Sequence, residues 1–395
     1  MLRPFQKQRQ RRTPIDVILG ILLALQVAGL TYAGLSPFSF SPQNQVEALE
    51  ARHGLVFDNV SIATSAGELR NAHDFPQRAL TIHLMIRPDQ DSAAGLGTIL
   101  TIEDGSRVSP LVIGQWKSWL VIRVRDTKRA ARGYWEMDAA GLPAGETHLV
   151  TITSGPKRGT AIYIDGIATG DTRTRTLIRG DRPLDGKLLL GCLGNGSAGW
   201  RGELLGLAIL GNSLGEFEVA DHYARVVEGD FASLGAAGDF VALYDFEQIG
   251  GENEELIHTV DNLIANSAVG RLEVPRIFAP LRPEAFGIPP LRDMKADWFL
   301  KDLLRNIAGF IPLGFIAGLI LIRNRSARGY VITFQVALVG ALLSVGIETI
   351  QIALPMRSSS LSDLTLNVIG TMTGAVIALA FRHSWLAPAA TTTAT

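Results

Sequence analysis

Four apolar segments limit what this chain can fold into. They lie at residues 17–35, 306–322, 330–354 and 364–381. A helix that crosses a bilayer needs about 20 apolar residues, and inside a bilayer only helices and closed barrels satisfy the backbone. The sequence therefore predicts four transmembrane helices. The first segment also has some features of a cleaved signal peptide, but its length favours an uncleaved helix.

The composition indicates that the rest of the chain is of another kind. The chain has 395 residues, of which 47% are hydrophobic and 19% charged. These values are intermediate between a soluble protein and a pure membrane bundle, so we expect both parts in one chain. The net charge of −1 gives no support for nucleic-acid binding. The single cysteine, Cys192, cannot form an internal disulfide, and we expect it to be a small buried residue.

Basic residues predict the direction of the helices, because cytoplasmic loops are rich in Lys and Arg. One basic group precedes the first apolar segment, and another separates the second from the third: Arg3, Lys7, Arg9, Arg11 and Arg12, then Arg323, Arg325 and Arg328. We therefore expect a multi-pass protein with cytoplasmic N- and C-termini and an outer region between the first two helices. Arg357 lies on the outer side against this rule, which suggests a local role.

Polar residues recur at helical spacing in and beside the last three apolar segments. A charge in hydrocarbon costs about 2.5–3.5 kcal/mol on insertion scales, so such residues usually have a partner or a function. The predicted orientation places nearly all of them near the outer interface. They form our candidate binding site, which consists of Asp302, Asn306, Ser344, Glu348, Gln351, Arg357, Asp363 and Asn367.

Two interpretations of this polar set stay open. One is an ion-pair network that locks the ends of three helices together. The other is a site for a lipid-linked head group, in which Arg357 binds phosphate or carboxylate. In that site Glu348, Asp363 and Arg357 are the candidate catalytic residues, with Glu348 preferred as the general base. No histidine accompanies Ser344, which disfavours a serine hydrolase triad.

The outer region has the pattern of an antiparallel β-sandwich. Short runs of alternating polarity recur with little helix between them, and only residues 214–226 have a helical pattern. The predicted strands are residues 79–86, 97–102, 110–114, 119–124, 148–153, 161–164, 187–191, 203–210 and 240–246. Tyr163-Ile164-Asp165-Gly166 is a hairpin signal. The proline-rich residues 273–301 are a predicted linker.

The order of these motifs resembles laminin G-like domains, which are concanavalin A-like jelly rolls. The similarity rests on residues 54–58, 80–88, 163–166, 188–191 and 200–203. It implies a domain at residues 46–272 that binds a glycan or an envelope protein. Trp116, Trp119, Trp135 and Trp200 are candidates for sugar stacking, although each is more commonly a packing residue. Glu103, Asp104, Asp138 and Asp165 suit a calcium site, but turn acids are far commoner than metal sites, and no cofactor or metal is predicted.

The C-terminal motifs resemble the VanZ-like family of bacterial membrane proteins. The family pattern is matched by the eight polar site residues above, together with Ile307, Phe310, Pro312, Gly314, Gly370 and Gly374. Residues 35–40, Leu-Ser-Pro-Phe-Ser-Phe, resemble the end of the family's first helix. The resemblance implies a VanZ-like unit into which the sandwich is inserted. We expect Gly370 and Gly374 to permit close helix packing.

Together these expectations describe a bacterial cell-envelope protein in the cytoplasmic membrane. Its parts are residues 1–40 with the first helix, the sandwich at 46–272, the linker at 273–301, the membrane domain at 302–382 and a tail at 383–395. The resemblance implies a role in resistance to the glycopeptide teicoplanin, or in binding an envelope precursor. Its expected partners are membrane lipid or a lipid-linked precursor. The alternatives are an enzyme that acts on a lipid-linked substrate and a small transporter, so the sequence leaves catalysis undecided.

Overall fold

The structure is a computed structural model of the chain. It describes residues 14–36, 38–49, 54–89, 95–106, 108–126, 133–170, 174–179, 183–236, 238–246, 258–281, 285–288, 297–324, 328–354, 357 and 359–386. For residues 139–140, 236, 297–299, 302, 324 and 383–386 it describes the backbone alone. Residues 282–284 and 289–296 of the predicted linker and residues 387–395 of the predicted tail lie outside the described residues. The chain divides into two compact units, Met1–Ser39 with Glu284–Thr395, and Phe40–Pro283.

The described chain begins with the helix α1, Pro14–Leu35. The second unit then forms two antiparallel sheets, with a short helix α2 at Asn71–Asp74. Its strands are β1 Glu47–Ala48, β2 Leu55–Phe57, β3 Ala63–Ser65, β4 Leu80–Pro88, β5 Gly97–Glu103, β6 Leu111–Trp116, β7 Trp119–Arg125, β8 Tyr134–Gly141, β9 His148–Gly155, β10 Gly159–Ile164, β11 Ile167–Ala168, β12 Lys187–Leu190, β13 Gly202–Leu210, β14 Phe240–Asp245, β15 Thr259–Val260 and β16 Leu272–Glu273.

The first sheet has the order β1-β2-β13-β4-β9-β10-β11, with β14 also paired to β13. The second has the order β15-β16-β3-β12-β5-β6-β7-β8. All nine predicted strands are confirmed, and β8 is a long strand that the prediction missed. The hairpin signal is also confirmed, because Asp165 and Gly166 both have positive φ between β10 and β11, as a two-residue type I′ turn requires.

The two sheets pack face to face around one apolar core. Alternate residues of the strands enter it, as is usual in a sandwich; Ile82 and Leu84 of β4, Ile113 of β6 and Ile122 of β7 are members. A second cluster lies under the helix α3, Glu216–Glu228, and the 3-10 helix Phe231–Ala236, which cover the first sheet. The sandwich prediction is therefore correct, and the predicted helix at 214–226 corresponds to α3.

Three further helices complete the first unit: α4 Asp297–Asn324, α5 Gly329–Gln351 and α6 Leu361–Leu386. Helix α4 continues through Pro312. Among the described residues, four helices are long and apolar enough to cross a membrane, namely α1, α4, α5 and α6. The four predicted spans are thus present as helices, and their apolar side chains are mostly exposed at the outside of the unit, where hydrocarbon would cover them.

Candidate functional site

One end of the helical unit collects the predicted polar residues. There α1 and α5 end, while α4 and α6 begin; we call it the polar end. The side chains of Ser344, Glu348 and Gln351 share one face of α5, because they are spaced by four and three residues. All three are buried, and Glu348 is only 2% exposed. The helical spacing seen in the sequence therefore directs these residues into the bundle rather than towards lipid.

Ser344 connects α5 to α6. Asn367 donates a hydrogen bond from Nδ2 to Ser344 Oγ over 2.9 Å, and both side chains are buried. Thr371, one turn further along α6, donates its hydroxyl proton to the carbonyl of Asn367 at 2.7 Å. This pairing gives Ser344 a structural hydrogen-bonding role across the interface between the two helices.

Glu348 holds the start of α6. Its Oε2 accepts a hydrogen bond of 2.6 Å from the backbone N–H of Ser360, the residue before α6 begins. Free N–H groups at a helix start attract negative charge, and a carboxylate makes the strongest such bond. The sequence analysis missed Ser360, although serine is a preferred residue just before a helix. Glu348 thus joins the end of α5 to the start of α6.

Gln351 and Arg357 both bind the end of α1. Gln351 donates from Nε2 to the carbonyl of Gly34 over 2.8 Å. Arg357 donates from Nη2 to the carbonyl of Ala33 at 3.3 Å and also to that of Ser36. The last carbonyls of a helix lack partners within the helix, and a basic side chain there is favourable. This contact provides the local reason for an arginine at position 357.

The remaining predicted residues lie at the same end. Asn306 is half-buried in the early part of α4, and Asp363 is half-buried in the first turn of α6. An acidic residue in a first turn stabilises its helix. Asp302 lies in α4, but the structure does not describe its side chain. The structure therefore gathers the described members of the set from three helices and one loop.

Three amide atoms at the polar end lack a hydrogen-bond partner among the described residues. They are Asn306 Nδ2, Gln351 Oε1 and Asn367 Oδ1, and all three are buried. A buried polar atom without a partner costs about 1–3 kcal/mol, and most such atoms in proteins are satisfied. One is a donor and two are acceptors. The polar end therefore has hydrogen-bonding capacity that the described side chains do not use.

Glycines bring α4 and α6 into backbone contact. A Cβ on Gly374 would lie 2.6 Å from the Phe315 nitrogen, and one on Gly370 would lie 3.0 Å from the Ile307 Cα. Gly314 in turn faces the backbone of Thr371. The expected packing role of Gly370 and Gly374 is confirmed, since small residues permit helices to approach this closely.

Two contacts of α1 were not predicted. Gln26 donates from Nε2 to the carbonyl of Gly309 at 2.9 Å, and Asp16 pairs with Arg323 at 3.1 Å. An amide within an otherwise apolar helix is a signal that sequence reasoning can use, because such a group needs a partner in hydrocarbon. These contacts place α1 antiparallel to α4, in the same unit.

Two of the four tryptophans of the sandwich are buried and two are exposed. Trp135 and Trp200 are buried, and Trp200 donates from Nε1 to Gln115 Oε1 at 2.8 Å. They are core residues and are not available to stack on a sugar. Trp116 and Trp119 are each 48% exposed, so they stay candidates.

Three of the four acidic residues considered for calcium have other contacts. Glu103 is buried and accepts from Ser109 Oγ and from the Gly194 N–H, while Asp165 accepts from His148 at 2.8 Å. Burial opposes ionisation of Asp104, but its bonds from Arg125 and Ser106 outweigh this effect and lower the pKa. No group of three possible metal ligands occurs within the described part of the chain. The calcium idea therefore gains no structural support.

Cys192 is fully buried beside Ile62, Leu189 and Phe278. Burial, followed by the nearby charge of Glu103, raises the pKa of the thiol to about 12. A thiol with so high a pKa is not a nucleophile at neutral pH, and the expectation of a buried apolar residue is confirmed.

The sequence model of the VanZ/LLP1 family matches residues 244–382. The C-terminal helical region is VanZ-like. The matched range contains α4, α5 and most of α6, with all eight polar site residues, so the family resemblance is confirmed for these three helices. Helix α1 lies outside the match, and its place in the family pattern stays a prediction. No curated protein matches the chain.

Solved structures resemble the sandwich only distantly. A Bacteroides ovatus protein, provisionally assigned as carbohydrate-binding, has 12% identity and a TM-score of 0.38, with 58% of this chain and 62% of that chain covered. A Trypanosoma rangeli sialidase has 11% identity and a TM-score of 0.34, with 47% and 29% covered. The binding domain of Paraclostridial Mosquitocidal Protein 1 has 12% identity and a TM-score of 0.34, with 46% of each chain covered. Such distant likenesses carry no argument about function.

Proposed function

We propose that the VanZ-like unit binds the head group of a lipid-linked envelope precursor at its polar end. The observation that supports this proposal is the set of three buried amide atoms without partners among the described residues, Asn306 Nδ2, Gln351 Oε1 and Asn367 Oδ1. Because the set combines a donor with acceptors, it suits a group that both donates and accepts hydrogen bonds. Sugar hydroxyls and peptide amides do so, whereas a phosphate only accepts.

Arg357 provides the positive charge and N–H donors that bind a phosphate. Its side chain is exposed, and its bonds to α1 all come from Nη2. The guanidinium has five N–H donors in a planar fork. The donors on Nε and Nη1 have no bond to a described residue and can bind an anion. A phosphate at Arg357, with a sugar or peptide directed towards the amides, matches the chemistry of a lipid-linked precursor.

The same geometry favours binding over catalysis. Glu348 accepts the N–H of Ser360 at the start of α6, and Arg357 binds the end of α1. Groups that hold helix ends are poorly placed to move protons during a reaction, since their displacement would release the helix. The enzyme therefore ranks below a binding protein.

In this proposal the polar end faces outwards. The basic residues at positions 323, 325 and 328 lie between α4 and α5, and positive charge favours the cytoplasm. The N- and C-termini would then be cytoplasmic, and the sandwich would be an extracytoplasmic module for a glycan or an envelope protein. Teicoplanin acts on cell-wall precursors, so a protein that binds such a precursor would alter sensitivity to this drug.

Replacement of Asn306 by alanine tests the proposal. The substitution removes an amide donor that has no described partner, so stability should be retained. The full chain in nanodiscs should bind a polyprenyl-diphosphate-linked disaccharide roughly tenfold more weakly, about 1.4 kcal/mol, which is the scale of one hydrogen bond. Cells that carry the variant should lose any change in teicoplanin sensitivity that the wild-type protein confers.

Gln335→Ala is the matched control. Gln335 Oε1 is also buried without a described partner, but position 335 is about 24 Å from position 351 along α5, at 1.5 Å per residue. This variant should bind the precursor as the wild-type protein does. The proposal would be refuted if both variants bound the precursor equally weakly, or if Asn306→Ala bound it as the wild-type protein does. It would also be refuted if the wild-type protein bound an ordinary phospholipid with the same affinity.

A further inference from the structure

Two exposed tryptophans occupy the tip of the β6–β7 hairpin. Trp116 and Trp119 are cross-strand partners, with only Lys117 and Ser118 between them. Partners opposite one another in antiparallel strands project from the same face. Each residue is 48% exposed, so each is partly covered by the protein. The Lys117 ammonium lies 5.3 Å from the Trp116 ring. Both tryptophans are therefore accessible at the tip of the hairpin.

The tryptophans lie on the face of the sheet that points away from the core. Leu111, Ile113, Leu120 and Ile122 belong to the core cluster. Because side chains alternate along a strand, Trp116 projects to the opposite, outer face.

Polar side chains continue this outer face along β7 and β8. Asp138, paired with Val121, is exposed. Arg123 donates to Glu136 at 2.5 Å, and its guanidinium lies 4.8 Å from the centre of the Tyr134 ring. Arg123 follows Trp119 by four residues, which is about 13 Å at 3.3 Å per residue. We call this surface the tryptophan platform; it comprises Trp116, Trp119, Arg123, Tyr134, Glu136 and Asp138.

The composition of the platform identifies its ligand. Flat aromatic rings accommodate the C–H faces of sugars, while carboxylates and a guanidinium exchange hydrogen bonds with hydroxyl groups. The charges balance, because Lys117 and Arg123 oppose Glu136 and Asp138. An uncharged ligand therefore suits the surface better than a polyanion. An anionic lipid surface would meet no excess of positive charge here, and burial of the two carboxylates in it would be costly.

We propose that the tryptophan platform binds an uncharged oligosaccharide, with sugar rings on Trp116 and Trp119 and hydroxyl groups at Arg123, Glu136 and Asp138. This inference rests on the proposed role of the sandwich as a ligand-binding module. It is independent of precursor binding at the polar end, since the two sites involve different residues and different probes.

The test uses the full chain in phosphatidylcholine nanodiscs. Chitotriose, maltotriose and cellotriose are titrated as neutral probes, with tryptophan fluorescence and isothermal titration calorimetry as readouts. At least one should bind the wild-type protein. Trp116→Ala and Trp119→Ala should each weaken that binding at least tenfold, and Asp138→Asn should weaken it severalfold. Trp119→Phe, which keeps an aromatic ring, should retain more affinity than Trp119→Ala.

Phe217→Ala is the matched control. Phe217 is a 92% exposed aromatic residue on α3, which covers the other sheet, and its removal should leave oligosaccharide binding unchanged. Failure of all three probes to bind would overturn the proposal, as would equal binding by Trp119→Ala. It would also be overturned if the wild-type nanodiscs associated with phosphatidylglycerol vesicles through the tryptophans and bound no sugar. Asn306→Ala should bind the sugar normally, which separates this result from the precursor test.

Discussion

Replacement of Gly374 by alanine should loosen the contact between α4 and α6. The added Cβ would lie 2.6 Å from the backbone nitrogen of Phe315, whereas ordinary van der Waals contact begins at 3.4 Å. The helices must therefore separate by at least about 0.8 Å locally, and a gap of 0.5–1 Å already forfeits a quarter to a half of the dispersion energy of each atom pair. Because the nearest atoms of α4 are backbone atoms, no flexible side chain can move aside to make room for the added Cβ.

The expected steric cost is about 1–3 kcal/mol, the usual range for overpacking. Alanine also favours a helix over glycine by up to about 1 kcal/mol, which offsets part of this cost. Gly346→Ala makes the same chemical change on α5, where an added Cβ meets nothing within 4 Å. The difference in unfolding free energy between the two variants therefore isolates the steric cost.

The measurement is unfolding of the detergent-solubilised full chain by increasing dodecyl sulfate, monitored by helical circular dichroism. Gly346→Ala should unfold at the same or a higher dodecyl sulfate fraction than the wild-type protein, and Gly374→Ala at a lower one. A larger side chain, as in Gly374→Val, should lower it further. Equal stability of the two alanine variants would refute the argument, because it would show that the two helices do not need their backbone contact.

Two other predictions concern the pH dependence of the stability of the sandwich and the role of Glu348 at the polar end. Burial, and then the charge of His222, lowers the pKa of His83 from 6.5 to about 3. Between these two pH values the unfolded chain binds more protons than the folded one, so the unfolding free energy of the sandwich should fall by up to about 1.4 kcal/mol for each pH unit from pH 6.5 down to about pH 3. The thermal unfolding midpoint should depend less on pH in His83→Gln than in the wild-type protein, whereas the exposed control His258→Gln should behave as the wild-type protein does. The same pH dependence of the midpoint in the two variants would contradict this prediction. Glu348→Gln keeps an acceptor for the Ser360 N–H, so it should be far less destabilising than Glu348→Leu, which should cost about 1–3 kcal/mol; similar unfolding midpoints of the two variants would count against the helix-end role.

Several parts of the fold follow from local pattern alone. Apolar length predicted the helices, alternation predicted nine strands, and the spacing of Gly370 and Gly374 predicted a packing face. Strand β8 was missed because its Glu136, Asp138, Ala139, Ala140 and Gly141 are residue types depleted in strands. Trp135 and Met137 alternate with Glu136 and Asp138 and enter the core.

The sequence by itself determined which residues are polar within apolar helices, and that they recur at helical spacing. Only the tertiary structure decided their partners: Glu348 at the start of α6, Gln351 and Arg357 at the end of α1, and Asn367 on Ser344. It likewise separated the exposed Trp116 and Trp119 from the buried Trp135 and Trp200. The physical reason is that periodicity is a property of neighbouring residues, whereas a hydrogen bond across helices or a place on a sheet face depends on how distant segments pack.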